Sequence, residues 1–326
     1  MKRALPLLLV MLGACSSFED PDIVLDFRVL GMEAEIPEQI IDIDVTQPPK
    51  SDEVLAQLVD TRVCALMSDQ NFDRQLRWTA TLCNLDNAER CSADVQVKLG
   101  SGIWDDPDTT ATPDNFCIDV PANGNLLGVA LDYLNNDALH GIGGIYYGVS
   151  LRVGGVGADE NLDLYAAKSL RIQPRIPPEL TANTNPFLDH IEVSVDGADN
   201  VILQDARCWD QAAPMEVAPE SVLRIYPIEP DGVRETYVVP TLDGMSRMFT
   251  ESLTYQWLAS AGAYASGSTG GTRDAFGNPA ILWTEWHAPK AKDLEGPTDV
   301  DLWIIQRDER LGVKWYRGCV RVVPPT

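Results

Sequence analysis

Short runs in which apolar and polar residues alternate recur along most of the chain, and they are its strongest constraint. Ile23, Leu25, Phe27 and Val29 alternate with more polar neighbours. The same period of two appears at Ile41–Val45, Val95–Leu99, Tyr147–Val153 and Ile191–Val195. It returns at Leu253–Trp257, Val300–Leu302 and Val320–Val322. Alternation puts one set of side chains on each face of an extended strand, so each run predicts a half-buried β-strand. Pro, Gly, Asn and Asp clusters between the runs fit turns. One segment departs from the rule. Leu127, Ala130, Leu131 and Leu134 recur at helical spacing, which predicts a short helix over residues 125–137. Residues 51–59 suggest a further helical turn. The chain is therefore expected to be all-β, with one short helix in its first half.

The 326 residues suffice for about two domains at roughly 150 residues each. An apolar fraction of 45% and a charged fraction of 23% exclude a collagen-like or disordered chain. Leu30-Gly31-Met32-Glu33-Ala34-Glu35-Ile36-Pro37 aligns with Leu170-Arg171-Ile172-Gln173-Pro174-Arg175-Ile176-Pro177, a domain length further on. The match suggests two β-sandwich domains in tandem, at residues 23–167 and 168–326. A net charge of −24 repels phosphate backbones and argues against a nucleic-acid partner.

The N-terminus reads as an address. Lys2 and Arg3 precede an apolar core from Ala4 to Met11, too short to span a membrane. Leu12-Gly13-Ala14-Cys15 then resembles the lipobox of bacterial lipoproteins. The resemblance implies a signal peptide over residues 1–14, removed by cleavage before Cys15. It further implies a diacylglycerol on the Cys15 sulfur, an acyl chain such as palmitate on its new amine, and a tether over residues 15–22. Ser16 in place of Asp resembles the outer-membrane address of Gram-negative lipoproteins. Two or more acyl chains hold a protein stably at a bilayer. Loss of Lys2 and Arg3 with the leader takes the net charge from −24 to −26.

Six further cysteines remain: Cys64, Cys83, Cys91, Cys117, Cys208 and Cys319. An even number in an exported chain reads as three disulfides, with about 15 connectivities open. Separate folding of the two halves favours Cys208–Cys319. A short bridge Cys83–Cys91 and a longer one Cys64–Cys117 are preferred among the other four. No Cys-x-x-Cys pair occurs, which speaks against zinc.

The second half carries a further likeness. Leu253–Trp257 reads as a central strand with a buried Trp, Leu302–Asp308 as the penultimate strand, and Val313–Val323 as the last. This resembles the end of immunoglobulin-like modules strung along bacterial surface proteins, and implies immunoglobulin-like β-sandwiches. The order Cys208, Trp257, Cys319 matches the antibody pattern only loosely, because Cys319 falls on the last strand. The opening Leu25–Leu30 resembles the start of Gram-negative lipoproteins with this layout and implies no activity.

Chemistry-bearing patterns are sparse. His140, His190 and His287 are the only histidines, and no Gly-x-Ser-x-Gly elbow is present. The aspartate pairs Asp42/Asp44 and Asp299/Asp301 sit on the polar faces of strands, as solvated residues do. Asp105, Asp106 and Asp108, with Asp114 close behind, are the candidates for calcium, which takes carboxylate and carbonyl oxygens. Residues 259–280 are rich in Gly, Ser, Thr and Ala and read as a long loop. Tyr264, Phe276, Trp283 and Trp286 in or after it read first as core or strand-face aromatics, with a stacking surface for a glycan or peptide as the alternative. No catalytic residues are assigned, and no cofactor is expected beyond calcium.

Together these features predict a non-enzymatic, lipid-anchored protein of the outer membrane. Its expected role is binding, adhesion or structure, and its partners are the membrane through Cys15 and an envelope protein or glycan. The alternatives are an anchored hydrolase acting on polysaccharide through two loop carboxylates, and a calcium-stiffened spacer.

Overall fold

The computed structural model describes residues 20–43, 50–68, 75–86, 88, 90–104, 116–138, 141, 143–241 and 245–325. The chain is all-β, with two sandwiches that each enclose a separate core. The first uses β1 (Arg28–Ala34), β2 (Glu38–Ile41), β3 (Thr61–Ser68), β4 (Leu76–Leu85), β5 (Cys91–Trp104), β6 (Phe116–Val120), β7 (Ile145–Gly155) and β8 (Leu164–Pro174). One sheet runs β1-β3-β6 and the other β2-β8-β7-β4-β5, with β2 parallel to β8. The N-terminal strand thus splits between the sheets at Pro37, where a ring without an N–H ends β1's pairing.

Two helices accompany these strands, α1 (Ser51–Leu55) and α2 (Gly124–Asn136). Asn123 caps α2, its side chain accepting from Asn125 N at 2.9 Å. Leu126, Val129 and Ala130 are its buried residues. The expected stripe is rotated accordingly: Leu131 faces outward, 47% exposed.

The second sandwich uses β9 (His190–Val195), β10 (Val201–Leu203), β11 (Met215–Val217) and β12 (Val222–Ile228). A two-stranded insertion follows, β13 (Thr236–Pro240) and β14 (Ser246–Thr250). Then come β15 (Thr254–Ala259), β16 (Ala263–Tyr264), β17 (Ser268–Gly270), β18 (Thr284–His287), β19 (Thr298–Arg307) and β20 (Val313–Val322). The sheets run β10-β9-β12-β18-β16 and β11-β20-β19-β15-β17, with β11 parallel to β20. Both sandwiches therefore share one plan. β1 pairs with β3, and β9 with β12, in one sheet, while the short strands β2 and β11 run parallel to the last strands β8 and β20 in the other. This is the immunoglobulin strand arrangement. Trp257 on β15 and Trp286 on β18 lie at the centre of the second core with no exposed surface. At Gly270, with φ of 82°, a Cβ would stand 2.4 Å from Leu253 O, so the end of β17, where Gly270 pairs with Thr254, requires glycine.

All six cysteines pair, as Cys64–Cys117, Cys83–Cys91 and Cys208–Cys319. Val320 and Val322 point into the core, so alternation turns Cys319 to the outer face of β20. That bridge ties down the turn at Cys208–Asp210 instead of joining the two sheets.

Two expectations change. Residues 167 and 168 fall inside β8, which pairs with β7 from Leu164 to Ile172. The ladder keeps the whole strand in the first sandwich, and the boundary falls after Pro174. The apparent repeat is also not structural. Leu30–Pro37 closes the first strand of a sandwich, whereas Leu170–Pro177 closes the last. The counterpart of β1 in the second sandwich is β9.

The two sandwiches pack face to face. A third apolar cluster joins Val24, Leu30 and Leu66 to Leu258, Trp303, Ile305 and Val313. Leu30 and Leu66 lie on the outer faces of β1 and β3, and the last four on those of β15, β19 and β20, while Val24 precedes β1. A bulge makes it fit: the β1–β3 register slips between Val29 and Gly31, which turns Leu30 outward. A Cβ on Gly31 would already touch Ile305 at 3.4 Å.

Candidate functional site

The β13–β14 hairpin forms a two-stranded sheet of its own and packs into neither sandwich core. It interrupts the connection between β12 and β15. Every residue of β14 is exposed. Exposed apolar side chains cover it: Val239 is 37% exposed, Met245 67%, Met248 73% and Phe249 44%. A two-stranded ribbon is marginal by itself in water, so its base must be held. Tyr237 stacks on Phe249 with ring centres 5.8 Å apart. Arg310 lies over the Tyr237 ring at 4.7 Å, and Tyr237 Oη donates to Glu309 at 2.7 Å.

Below the hairpin is a buried charge cluster shared by both sandwiches. Arg310, in the β19–β20 turn, donates to Glu38 Oε2 at 2.9 Å. Its other terminal nitrogen reaches Glu235 and Glu251, each at 3.4 Å. Glu38 also holds Arg171 at 2.7 Å and accepts from Asn183 N at 2.7 Å. Burial and the nearby Asp308 and Glu235 carboxylates push Glu251 up to about 7, against the relief from its backbone hydrogen bond and Arg310. A cleft of about 430 Å³ lies between the sandwiches, lined in part by Met32, Lys168, Asp308 and Leu311. Lys168 donates to Leu311 O, and its burial lowers its amine to about 8.

The hairpin stands at one end of the second sandwich. It joins β15 just before Thr254, and Thr254 pairs with Arg307 beside the β19–β20 turn. The chain arrives at the other end: Ala259 O accepts from Val24 N at 2.8 Å, and Ala259 N donates to Asp22 O at 3.0 Å. The length of β15, roughly 17 Å at about 3.3 Å per residue, separates the two.

The residues singled out in the sequence do not converge. Leu12, Gly13, Ala14, Cys15, Asp44, Asp105, Asp106, Asp108, Asp114 and His140 lie outside the described residues. His190 is held between Asp189 and Glu192, whose hydrogen bonds raise its pKa. His287 is exposed at the end of β18. Asp42 and Asp299 pair with Arg175 and Arg321. Asp301 accepts from Cys208 N. Among the described residues no three His, Cys, Asp or Glu side chains are grouped to hold a metal ion. No described helix is long and apolar enough to cross a membrane.

The four aromatics in and after residues 259–280 do not form a stacking surface, and two take the core positions read first for them. Tyr264 and Trp286 are core residues, and Trp283 lies beneath Arg224 at 4.6 Å. Of the four only Phe276 is open, at 91% exposure. The hairpin itself escaped the sequence reading. Its signal was two β-prone runs around Thr241-Leu242-Asp243-Gly244, whose Asp-Gly step favours a tight turn.

No protein-family model matches the chain, and no curated protein matches it in sequence. Among solved structures, it is similar to the two tandem V-type regions of VCBP3, a v-region-containing chitin binding protein. The identity is 10%, with 90% of this chain and 99% of that one covered, at a TM-score of 0.25. A partial N-terminal region of enterococcal surface protein is 8% identical over 93% of this chain and 97% of that one, with a TM-score of 0.25. The collagen adhesin from S. aureus is 8% identical over 90% and 93%, with a TM-score of 0.17.

Proposed function

We propose that this chain is a non-catalytic binding protein of the bacterial envelope, anchored by lipid on Cys15, that presents the β13–β14 arm to a protein or glycan partner. The observation that carries this reading is the arm. Exposed apolar side chains on a projecting element mark an interaction surface, because water gains when they are covered. The two Met residues suit such a surface, since their flexible thioethers adapt to a partner's shape. The rest of the chain reads as support. Two sandwiches packed through an apolar face and a buried charge cluster give the arm a stiff base. The chain's arrival at the opposite end of β15 points the arm away from a membrane on the Cys15 side.

The test replaces residues 236–250 by two glycines in the full chain and measures binding to isolated envelopes of the source cells. The expected result is loss of saturable binding with an unchanged circular dichroism spectrum for the two sandwiches. Unchanged binding contradicts the reading. Globomycin, which blocks lipoprotein signal cleavage, tests the anchor: accumulation of the uncleaved form is expected. Protease treatment of intact cells then separates a surface location, where the arm is cut, from a periplasmic one.

A further inference from the structure

We infer that the arm's partner docks as a strand, by main-chain pairing to the outer edge of β14, and that it is an extended polypeptide carrying Lys or Arg between apolar residues. The inference rests on the arm being the binding element and names its partner class.

The ladder determines which groups are open. Glu251 N donates to Glu235 O at 2.9 Å, and Thr241 N donates to Met245 O at 2.8 Å. Odd-numbered residues in the arm therefore pair across it, through Tyr237 with Phe249 and Val239 with Arg247. Even-numbered residues turn their main-chain groups outward. On β14 these are Ser246, Met248 and Thr250, a row of three N–H and three C=O groups on a fully exposed strand. On β13 they are Thr236, Val238 and Pro240, and Pro240 has no N–H to offer. One edge is blunted as natural edges are, while the other is left continuous. An added strand on that edge would satisfy the row and lay alternate side chains against Met248 on one face and Phe249 on the other.

Charge selects the strand. Residues 173–326 carry 22 acidic and 13 basic side chains, a net of −9, and the whole chain carries −24. The described arm holds a single charge, the cation Arg247, whereas its base carries the carboxylates Glu235, Glu251, Asp308 and Glu309, which set the sign there. An approaching acidic segment, or a second copy of this chain, meets repulsion; a basic segment is attracted.

The test titrates isotope-labelled full chain in detergent with an eight-residue peptide alternating Lys and Val. Comparison peptides alternate Glu and Val, or carry prolines in the Lys–Val sequence. The Lys–Val peptide is expected to shift the amides of Ser246, Met248 and Thr250 saturably. Its binding is expected to weaken as salt rises from about 0.05 to 0.5 M. Met248→Pro removes one outward N–H without touching the β13–β14 ladder, and is expected to weaken binding about tenfold or more. Val238→Pro, on the other edge, is expected to bind as the parent does.

Equal binding by Met248→Pro, or by the proline-interrupted peptide, overturns edge pairing. So does a response of the same amides to phosphatidylglycerol vesicles but to no peptide, which assigns the arm to lipid. A shift with protein concentration alone assigns it to a second copy. If deleting the arm abolishes envelope binding while Met248→Pro preserves it, edge pairing fails and the wider reading stands. If deleting the arm changes nothing, the wider reading fails.

Discussion

Arg310 and Glu38 meet 2.9 Å apart across the two sandwiches, with 5% and 0% of their side chains exposed. Glu38 begins the strand that crosses to the last strand of the first sandwich, and Arg310 sits in the final turn of the second. The same guanidinium lies over Tyr237 at the base of the arm. The site that joins the sandwiches is thus also the site that seats the arm.

Removing one partner of a buried charge cluster leaves the other uncompensated. Arg310→Met leaves Glu235 and Glu251 without their cation and Glu38 with Arg171 alone, and is expected to cost about 3–5 kcal/mol in urea unfolding. It is also expected to quicken hydrogen exchange in β13 and β14, because the ring of Tyr237 loses its cover. A cost below about 1 kcal/mol contradicts the arrangement.

Trp303 tests the apolar half of the same interface. It lies in neither sandwich core but in the cluster between them, 5% exposed. Trp303→Ala is expected to cost about 3–5 kcal/mol. It is also expected to split one calorimetric transition into two, as each sandwich keeps its own core. A single transition at the parent's temperature argues that the sandwiches are not coupled through this face.

Glu251 makes stability depend on pH. Its folded pKa, about 7, lies above its ordinary value of 4.5. Below 4.5 the group is neutral in both states and its contribution is complete. As pH rises toward 7 the unfolded state ionises first, so stability is lost across that window. Glu251→Gln is expected to flatten the decline between pH 4.5 and 7, measured by urea unfolding at several pH values. An unchanged slope contradicts the assignment.

The three disulfides close loops of very different length, with separations of 111, 53 and 8 residues. Loop-closure entropy then orders their worth at about 5, 4 and 2.5 kcal/mol. Paired Cys→Ala replacement, followed by denaturant unfolding, is expected to rank Cys208–Cys319 above Cys64–Cys117 and both above Cys83–Cys91. The reverse ranking indicates that native packing, not chain restriction, sets their value.

Much of each sandwich was legible in the sequence. Alternation marked the strands, Trp257 fell where a central strand needs it, and the preferred cysteine pairing is the one in the fold. The interface between sandwiches was not legible. Leu302-Trp303-Ile304-Ile305 is apolar on both faces, and a period of two cannot say what covers the second face. The bulge that turns Leu30 outward depends on β3, a partner far along the chain. The eight-residue repeat misled because similar strand ends recur at unrelated positions in a sandwich. The arm was hidden for a further reason: its apolar residues come as the runs Tyr237-Val238-Val239 and Met248-Phe249, without the period of two that marks the core strands.

On the proposed function, the arm makes contact with another molecule in the cell. A photo-crosslinking residue at Met248 in living cells tests it most directly, with the same residue at Ile202, an exposed position on β10, as the comparison. A discrete adduct is expected from position 248 and none from 202. Absence of any adduct from position 248, or the same adducts from both positions, contradicts the account.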